Sequence, residues 1–266
     1  IEIVRSTAPI SSAPSEALSA VEGGQEGKPL EIPKRKCIYT AMTGDYDFLL
    51  RQPRARGWDY IAFVDRPPAQ AHGWEIRTFE ADGIDPVRAS RRPKILPHKF
   101  LPDYDYSLYI DANMILKTTP QKMAIRAGWP DFCHVRHPWR RCIYEELETI
   151  GQRGKAPLEA VQAQIARYRK DGMPAWDGMN ENGCLLRRHN APEVKAIDEA
   201  WWHEYIRSET GRDQPALMFT LWRLGKEVQR MSCTERTRWV RLRPHKKAME
   251  DADGNGNAER AEAVPA

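Results

Sequence analysis

The sequence predicts an α/β domain, and three observations carry that prediction. Short apolar runs rich in β-branched and aromatic residues recur along the chain and stop at carboxylates or amides, as at Asp65 and at Asp111-Ala112-Asn113. Stretches with apolar residues at helical spacing follow, Leu158, Val161, Ile165 and Tyr168 in one and Val194, Ile197, Trp201 and Tyr205 in another. Strand tips that carry carboxylates along one edge are where open α/β sheets place their sites.

The chain has 266 residues, 41% of them apolar, which suffices for one sizeable core. Residues 1–33, rich in Ser, Ala, Pro, Gly and Glu, are expected to form a disordered tail or linker, and the acidic, Gly/Asn-rich residues 248–266 a second one. The folded domain is then 34–247. The first residue is Ile, so a chain processed or cut from a longer one is expected. No charged start precedes an apolar run, and no apolar run reaches membrane-spanning length. The five cysteines, Cys37, Cys133, Cys142, Cys184 and Cys233, form no C-x-x-C pair and read as reduced, packed thiols. A cytoplasmic protein is expected, with membrane association through a region outside this chain left open, as is the oligomeric state. Net charge is +4, and residues 223–247 are strongly basic. Such a run can serve nucleic acid, an anionic lipid surface or a phosphorylated substrate, or simply be a solvated face. With no nucleic-acid motif in the chain, nucleic acid is not an expected partner.

Taken in order, residues 36–41 form a first apolar strand running into Met42-Thr43-Gly44-Asp45, a loop whose backbone can approach a ligand closely. Residues 58–65 form a second strand ending in Asp65, and 74–77 a third. Pro93 suits a first helical turn, which would gather Arg92, Lys94 and Lys99 near the next strand's end, where they read equally as phosphate-holding cations and as plain surface basicity. That next strand is the central one, Tyr106-Ser107-Leu108-Tyr109-Ile110-Asp111. A buried strand tolerates Asp only when it is paired, hydrogen-bonded or metal-bound. Oxygen ligands one residue apart, as in Asp111-Ala112-Asn113, can both reach Mg²⁺ or Mn²⁺ if the chain turns there. Read locally, the same tripeptide is first of all a turn.

Thr119-Pro120 starts a short helix, and residues 131–135 form another strand. It leads into Arg136-His137-Pro138-Trp139-Arg140 and on to Glu145, a mixture of ionisable groups and aromatics suited to binding sugars. His137 reads equally as a hydrogen-bonded loop histidine. Residues 156–170 form a scaffold helix. Residues 179–190 read as a polar loop, a close-packing Gly183 and a strand, after which Asn190 caps a long helix. Gly211-Arg212-Asp213-Gln214-Pro215 opens the next helix, where capping alone would account for Asp213.

The assembled order is more specific than its parts. The motifs are Arg92-Pro93-Lys94-Ile95-Leu96-Pro97-His98, the central strand, Arg136-His137-Pro138-Trp139-Arg140, Tyr168-Arg169-Lys170-Asp171-Gly172, Glu181-Asn182-Gly183-Cys184, Arg212-Asp213-Gln214 and Cys233-Thr234-Glu235-Arg236. Together they resemble nucleotide-sugar glycosyltransferases of the A-type fold, the glycogenin-like retaining group in particular. More closely, the chain resembles the glycosyltransferase-like domain family that includes plant proteins of mucilage synthesis and turgor regulation.

The resemblance implies a three-layer α/β/α sandwich around a mostly parallel, Rossmann-like sheet, and transfer of a sugar from a nucleotide-sugar donor, expected to be a UDP-sugar, to a glycan or other acceptor. It implies donor contacts at Thr40, Asp45, Asp65, Lys94, Lys99 and Asp111, and places Asp213 and Gln214 against the donor sugar. It also implies an Mn²⁺ or Mg²⁺ ion on Asp111, Asn113 and His245. The acceptor or sugar side falls to His137, Arg140, Glu145, Asn182 and Gly183. Asn113 stands where the usual motif has a second Asp, which removes one negative charge from the metal position. The alternative to an enzyme is a non-catalytic nucleotide-sugar or glycan binding domain.

Overall fold

Apolar runs without polar alternation need a sheet buried on both faces. The computed structural model describes residues 32–246 except 45 and 177. The tails expected at 1–33 and 248–266 therefore lie outside the described residues, apart from Ile32 and Pro33, and so does Asp45. In chain order come β1 (Lys36–Met42), β2 (Asp59–Val64), β3 (Glu75–Thr78), α1 (Pro86–Ile95), α2 (Pro97–Phe100), β4 (Tyr106–Ile110) and β5 (Met114–Leu116). They are followed by α3 (Pro120–Ala127), β6 (Phe132–Arg136), α4 (Ile143–Gln152), α5 (Leu158–Lys170), β7 (Asn180–Arg187), α6 (Pro192–Arg207), α7 (Asp213–Arg223), β8 (Gln229–Met231), α8 (Cys233–Trp239) and β9 (Val240–Leu242).

Seven strands form one sheet in the order β3-β2-β1-β4-β7-β6-β8, while β5 and β9 make a separate antiparallel pair. Pairing is parallel at β1–β2, β1–β4, β2–β3 and β6–β8, and β7 alone runs against its neighbours β4 and β6. The C-terminal ends of β1, β2, β4 and β6 and the start of β7 thus share one edge. The α/β sandwich with a mostly parallel sheet is the observed architecture.

Side-chain alternation builds a core on each face. Ile38, Tyr60, Leu108, Ile110, Cys184 and Leu186 point to one core with Met123 of α3 and Trp239 of α8. Tyr39, Ile61, Phe63, Tyr109 and Leu185 point to the other, against Ile95 of α1, Trp201 and Tyr205 of α6 and Leu217 of α7. All five residues of β4 are buried, and each large apolar side chain there contributes about 1.5–3 kcal/mol. Helices α4 and α5 pack on α7 around Leu147, Tyr168 and Phe219. Cys37, Cys133, Cys142 and Cys184 are free, buried thiols, and Cys233 is half-buried. Among the described residues no helix is long and apolar enough to cross a membrane.

Four local expectations are corrected. Helix α1 starts earlier than Pro93: Asp85 Oδ1 accepts from Arg88 N at 3.0 Å with Pro86 at the first helical position, which leaves Pro93 inside the helix. Asn190 does not cap α6, whose N-cap is Ala191; its amide instead donates to the carbonyls of Pro102 and Tyr104. Residues 180–182, read as loop, begin β7, because Arg136 and Val135 of β6 pair with Asn180 and Glu181. The charged residues after His137 conceal α4, whose buried face is Ile143, Leu147 and Ile150.

Candidate active site

β4 delivers Asp111 to the shared edge, where the chain turns: Met114 N donates to Asp111 O at 2.9 Å. The local turn and the site are one feature. Asp111 N donates to Gly183 O at 2.9 Å, which binds the turn to β7. A Cβ on Gly183 would run into Met114 Cε and lie 2.9 Å from Asp111 Oδ2, so a glycine is required for the carboxylate to lie there.

The partner Asp111 needs comes from α1. The buried Lys94 Nζ lies 3.4 Å from Asp111 Oδ1 and 2.8 Å from Asp213 Oδ2, bridging the two carboxylates. Tyr109 OH also donates to Asp111 Oδ1, at 2.8 Å, and its ring lies 4.9 Å beneath the ammonium. The Lys94 side chain is 3% exposed and that of Asp213 8%, whereas Asp111 shows 36% of its side chain to solvent. Burial alone would raise the pKa of Asp213, but Lys94, Arg91 and Arg212 together hold it well below the ordinary carboxylate range. Asp213 is therefore ionised at neutral pH.

Two supports place these groups. Trp201 Nε1 of α6 donates to Asp213 O at 2.9 Å, fixing the first turn of α7. The fully buried Arg187 of β7 pairs with Asp198 at 2.9 Å, donates to Tyr39 OH at 2.6 Å and also donates to Lys94 O, so the backbone beneath the ammonium is clamped from three elements. Gln214 Nε2 donates to Asn180 O at 3.0 Å, and Asn182 Nδ2 reaches Asp213 Oδ2 at 3.5 Å. A register shift between Cys133 and Val135 opposite β7 breaks the alternation, so Asn182 faces Asp213 while Glu181 pairs with Arg236 of α8 at 3.2 Å.

Asp111, Lys94, Asp213, Asn182 and Gly183 are thus brought together, with Gln214 alongside. Of the three cations expected before β4 only Lys94 arrives. Arg92 bonds Asp82, and Lys99 pairs with Glu199 of α6 at 2.9 Å. Arg91, three residues before Lys94 on the same helical face, is the cation that joins it, 3.9 Å from Asp213 Oδ1. Because α1 starts at Pro86 rather than Pro93, Arg91 and Lys94 lie one helical turn apart on one face. Arg187, Tyr109 and Trp201 carry no sequence signal beyond apolar surroundings.

At the ends of β1 and β2, Asp65 Oδ2 accepts from Gly44 N at 2.9 Å, tying the loop after β1 to the end of β2. Thr40 is buried in β1, with no hydrogen-bond partner for its hydroxyl among the described residues. The late chain does return to the central turn: Asn113 Nδ2 donates to Arg243 O at 3.0 Å and Arg243 N to Asn113 O at 2.8 Å. His245 Nδ1 bonds the buried Asp47 at 2.7 Å. Among the described residues no three His, Cys, Asp or Glu side chains form a metal-binding group. The oxygens left for a hard cation are Asp111 Oδ2 and Asn113 Oδ1. This sparse donor set suits Mg²⁺ or Mn²⁺ that takes most of its shell from phosphate and water rather than from a protein cage.

Beyond β6, His137 Nδ1 accepts from the backbone N–H groups of Trp139 and Arg140 at 3.3 and 2.9 Å. Burial, with Arg140 adding to it, lowers the pKa of His137 to about 4. Arg140 bonds Glu146, and Glu145 is exposed in the first turn of α4.

The family model of the TOD1/MUCI70, glycosyltransferase-like domain matches residues 76–242, more than half of the chain. Over 140 residues the chain is 27% identical to an Arabidopsis thaliana protein named "Probable hexosyltransferase MUCI70", a stretch that covers 49% of this chain and 24% of that relative. The chain therefore spans about a quarter of the length of the relative it matches.

Proposed function

The chain belongs to the TOD1/MUCI70 glycosyltransferase-like family, and from that premise we propose that it transfers a sugar from a nucleotide-sugar donor, a UDP-sugar in the first instance, to a glycan acceptor. The observation that carries this reading is the Lys94 bridge between a partly exposed carboxylate, Asp111, and a buried one, Asp213, at the C-terminal edge of the sheet. Open α/β sheets bind their ligands at that edge.

The nucleotide is assigned to the ends of β1 and β2, beside Thr40 and the loop tied to Asp65, and its diphosphate to Lys94 and Asp111. A divalent cation held by Asp111 and Asn113, while His245 is engaged by Asp47, would supply neutralisation of the diphosphate when bound. Lys94 places a second positive charge against the leaving group without reorganisation, because its backbone is clamped by Arg187 and its side chain is held between the two carboxylates. Asp213 and Gln214 are assigned to the donor sugar. There an anionic carboxylate and an amide oriented by Asn180 oppose the oxocarbenium-like charge that develops as the glycosidic bond breaks.

A panel of nucleotide sugars tested for thermal stabilisation, with Mn²⁺ and after chelation, checks the donor. A bound donor at about 100 times its Kd stabilises the fold by about 2.7 kcal/mol, and Asp111→Asn should abolish most of that gain together with sugar transfer. Absence of stabilisation by every nucleotide sugar would refute the proposal. Stabilisation without turnover would reduce it to a binding domain, and undiminished turnover after exhaustive chelation would remove the cation.

A further inference from the structure

The active edge continues past the Lys94 cluster. Gln214 touches Asn180, and Asn180 pairs with Arg136, so β6 ends two strand spacings, about 10 Å, from β4 along the edge. There a pocket of about 230 Å³ is lined by Arg136, Arg140, Arg141, Trp176, Met179 and Arg230. Its walls are tied together: Gly178 N donates to Arg141 O at 3.0 Å and His137 N to Met179 O at 2.8 Å. Gly178 has φ +94°, and a Cβ there would meet Arg230 Nη1 at 2.9 Å, so the guanidinium of β8 lies directly over this loop. Arg140 is neutralised by Glu146. Arg136, Arg141 and Arg230 make no ion pair among the described residues, and the Trp176 side chain stands exposed at the rim.

Three guanidinium groups that make no ion pair among the described residues, gathered around one concavity, are a site for a planar or tetrahedral anion, which Arg binds through paired N–H donors. An exposed indole beside them offers a flat surface for a sugar ring. We infer that this pocket is the acceptor subsite and that the acceptor is an anionic saccharide, with its carboxylate or sulfate held by Arg136, Arg141 and Arg230 and one ring lying on Trp176. The inference rests on the sugar-transfer reading and specifies the acceptor's class. The donor lies toward β1 and β2, the acceptor toward β6 and β8, and the Lys94 cluster between them.

The test is calorimetric titration of the full chain with a hexuronate tetramer, a sulfated tetramer and a neutral hexose tetramer. An anionic tetramer should bind at least about 10-fold more tightly than the neutral one, about 1.4 kcal/mol, and its affinity should fall as salt is raised. The double variant Arg141→Gln/Arg230→Gln should lose that preference, and Trp176→Ala should weaken both classes of tetramer. Whichever anionic tetramer binds more tightly identifies the group recognised. Equal binding of neutral and anionic tetramers, an unchanged preference in the double variant, or displacement of the tetramer by equimolar inorganic phosphate would overturn the inference. Nucleotide-sugar stabilisation should survive in the double variant. If it does while the anionic preference is absent in the parent chain, only the acceptor assignment falls. If no nucleotide sugar stabilises the parent chain, the transfer reading itself falls.

Discussion

Replacing Lys94 with methionine keeps an unbranched apolar stem of similar bulk and removes the ammonium, with its charge and N–H donors, from the centre of the cluster. At 2.8 Å and an effective dielectric constant of about 20, its attraction to Asp213 is about 6 kcal/mol before desolvation is subtracted. Removing one partner of a buried pair costs about 3–5 kcal/mol, chiefly because the other charge is left behind. Arg91 at 3.9 Å still faces Asp213, and the Asp111 pair is partly screened by solvent, which places the expected loss near the lower end, about 3 kcal/mol.

The loss depends on pH. In the parent protein the folded pKa of Asp213 is depressed, so its contribution is present above the unfolded carboxylate value and disappears as pH falls through the folded one. In Lys94→Met burial prevails and the folded pKa moves upward. The deficit is then fully developed at pH 7 and shrinks toward pH 4, where the carboxyl can take up a proton. Urea denaturation at both pH values, for Lys94→Met, Asp213→Asn and the double variant, measures this. At about 2–4 °C per kcal/mol the single variant should melt about 6–12 °C lower at pH 7, and Asp213→Asn should restore most of the difference. A loss that is the same at both pH values and is not relieved by Asp213→Asn would refute the bridged-carboxylate account.

Gly183→Ala should displace the Asp111 carboxylate through the contacts with Asp111 and Met114, reducing transfer at least about 10-fold. Its stability cost should be only about 1 kcal/mol, since both obstructing groups are side-chain ends; steady-state kinetics on variant protein with an unchanged circular dichroism spectrum checks it. Arg187→Met should cost about 3–5 kcal/mol in urea denaturation by stranding Asp198, and Asp198→Asn in the same chain should recover part of that. His134 and His189 have no exposed surface, and burial first, with nearby arginines adding to it, lowers their pKa values to about 3 and about 4. Their folded pKa values lie below the unfolded one, so stability is complete above pH 6.5 and declines as pH falls. Each removes up to about 1.4 kcal/mol per pH unit. Urea midpoints between pH 6.5 and 5 should slope accordingly, and His189→Gln should flatten the slope.

Much of this molecule is legible in one dimension because its strands are buried on both faces and therefore read as apolar runs closed by polar residues. β1, β2, β4 and β6 were all readable in that way, as was the Thr119 cap of α3, whose hydroxyl accepts from Lys122 N. The helices hidden by charge were not. α4 follows three arginines, Arg136, Arg140 and Arg141, and α1 carries a proline in its last turn that imitates a helix start. A register shift in β7 is likewise invisible to an alternation count, yet it turns Asn182 toward Asp213.

The sequence by itself determined the α/β class, the family, and Asp111, Lys94, Gly183 and Asp213 as candidate site residues, since each lies in a short motif whose order along the chain is distinctive. Tertiary structure alone decided which cations serve them. Lys99 and Arg92 are as basic as Lys94 and Arg91, but the phase of α1 turns Arg92 toward Asp82 and Lys94 and Arg91 toward Asp213, while Lys99, on the separate helix α2, reaches Glu199. It also decided that Arg187, from the antiparallel strand, braces Lys94 from beneath, and that Arg136, Arg141 and Arg230 meet around one pocket. Charge is a property of composition, but the partner of each charge is set by distance, and distances between remote residues exist only in the folded chain.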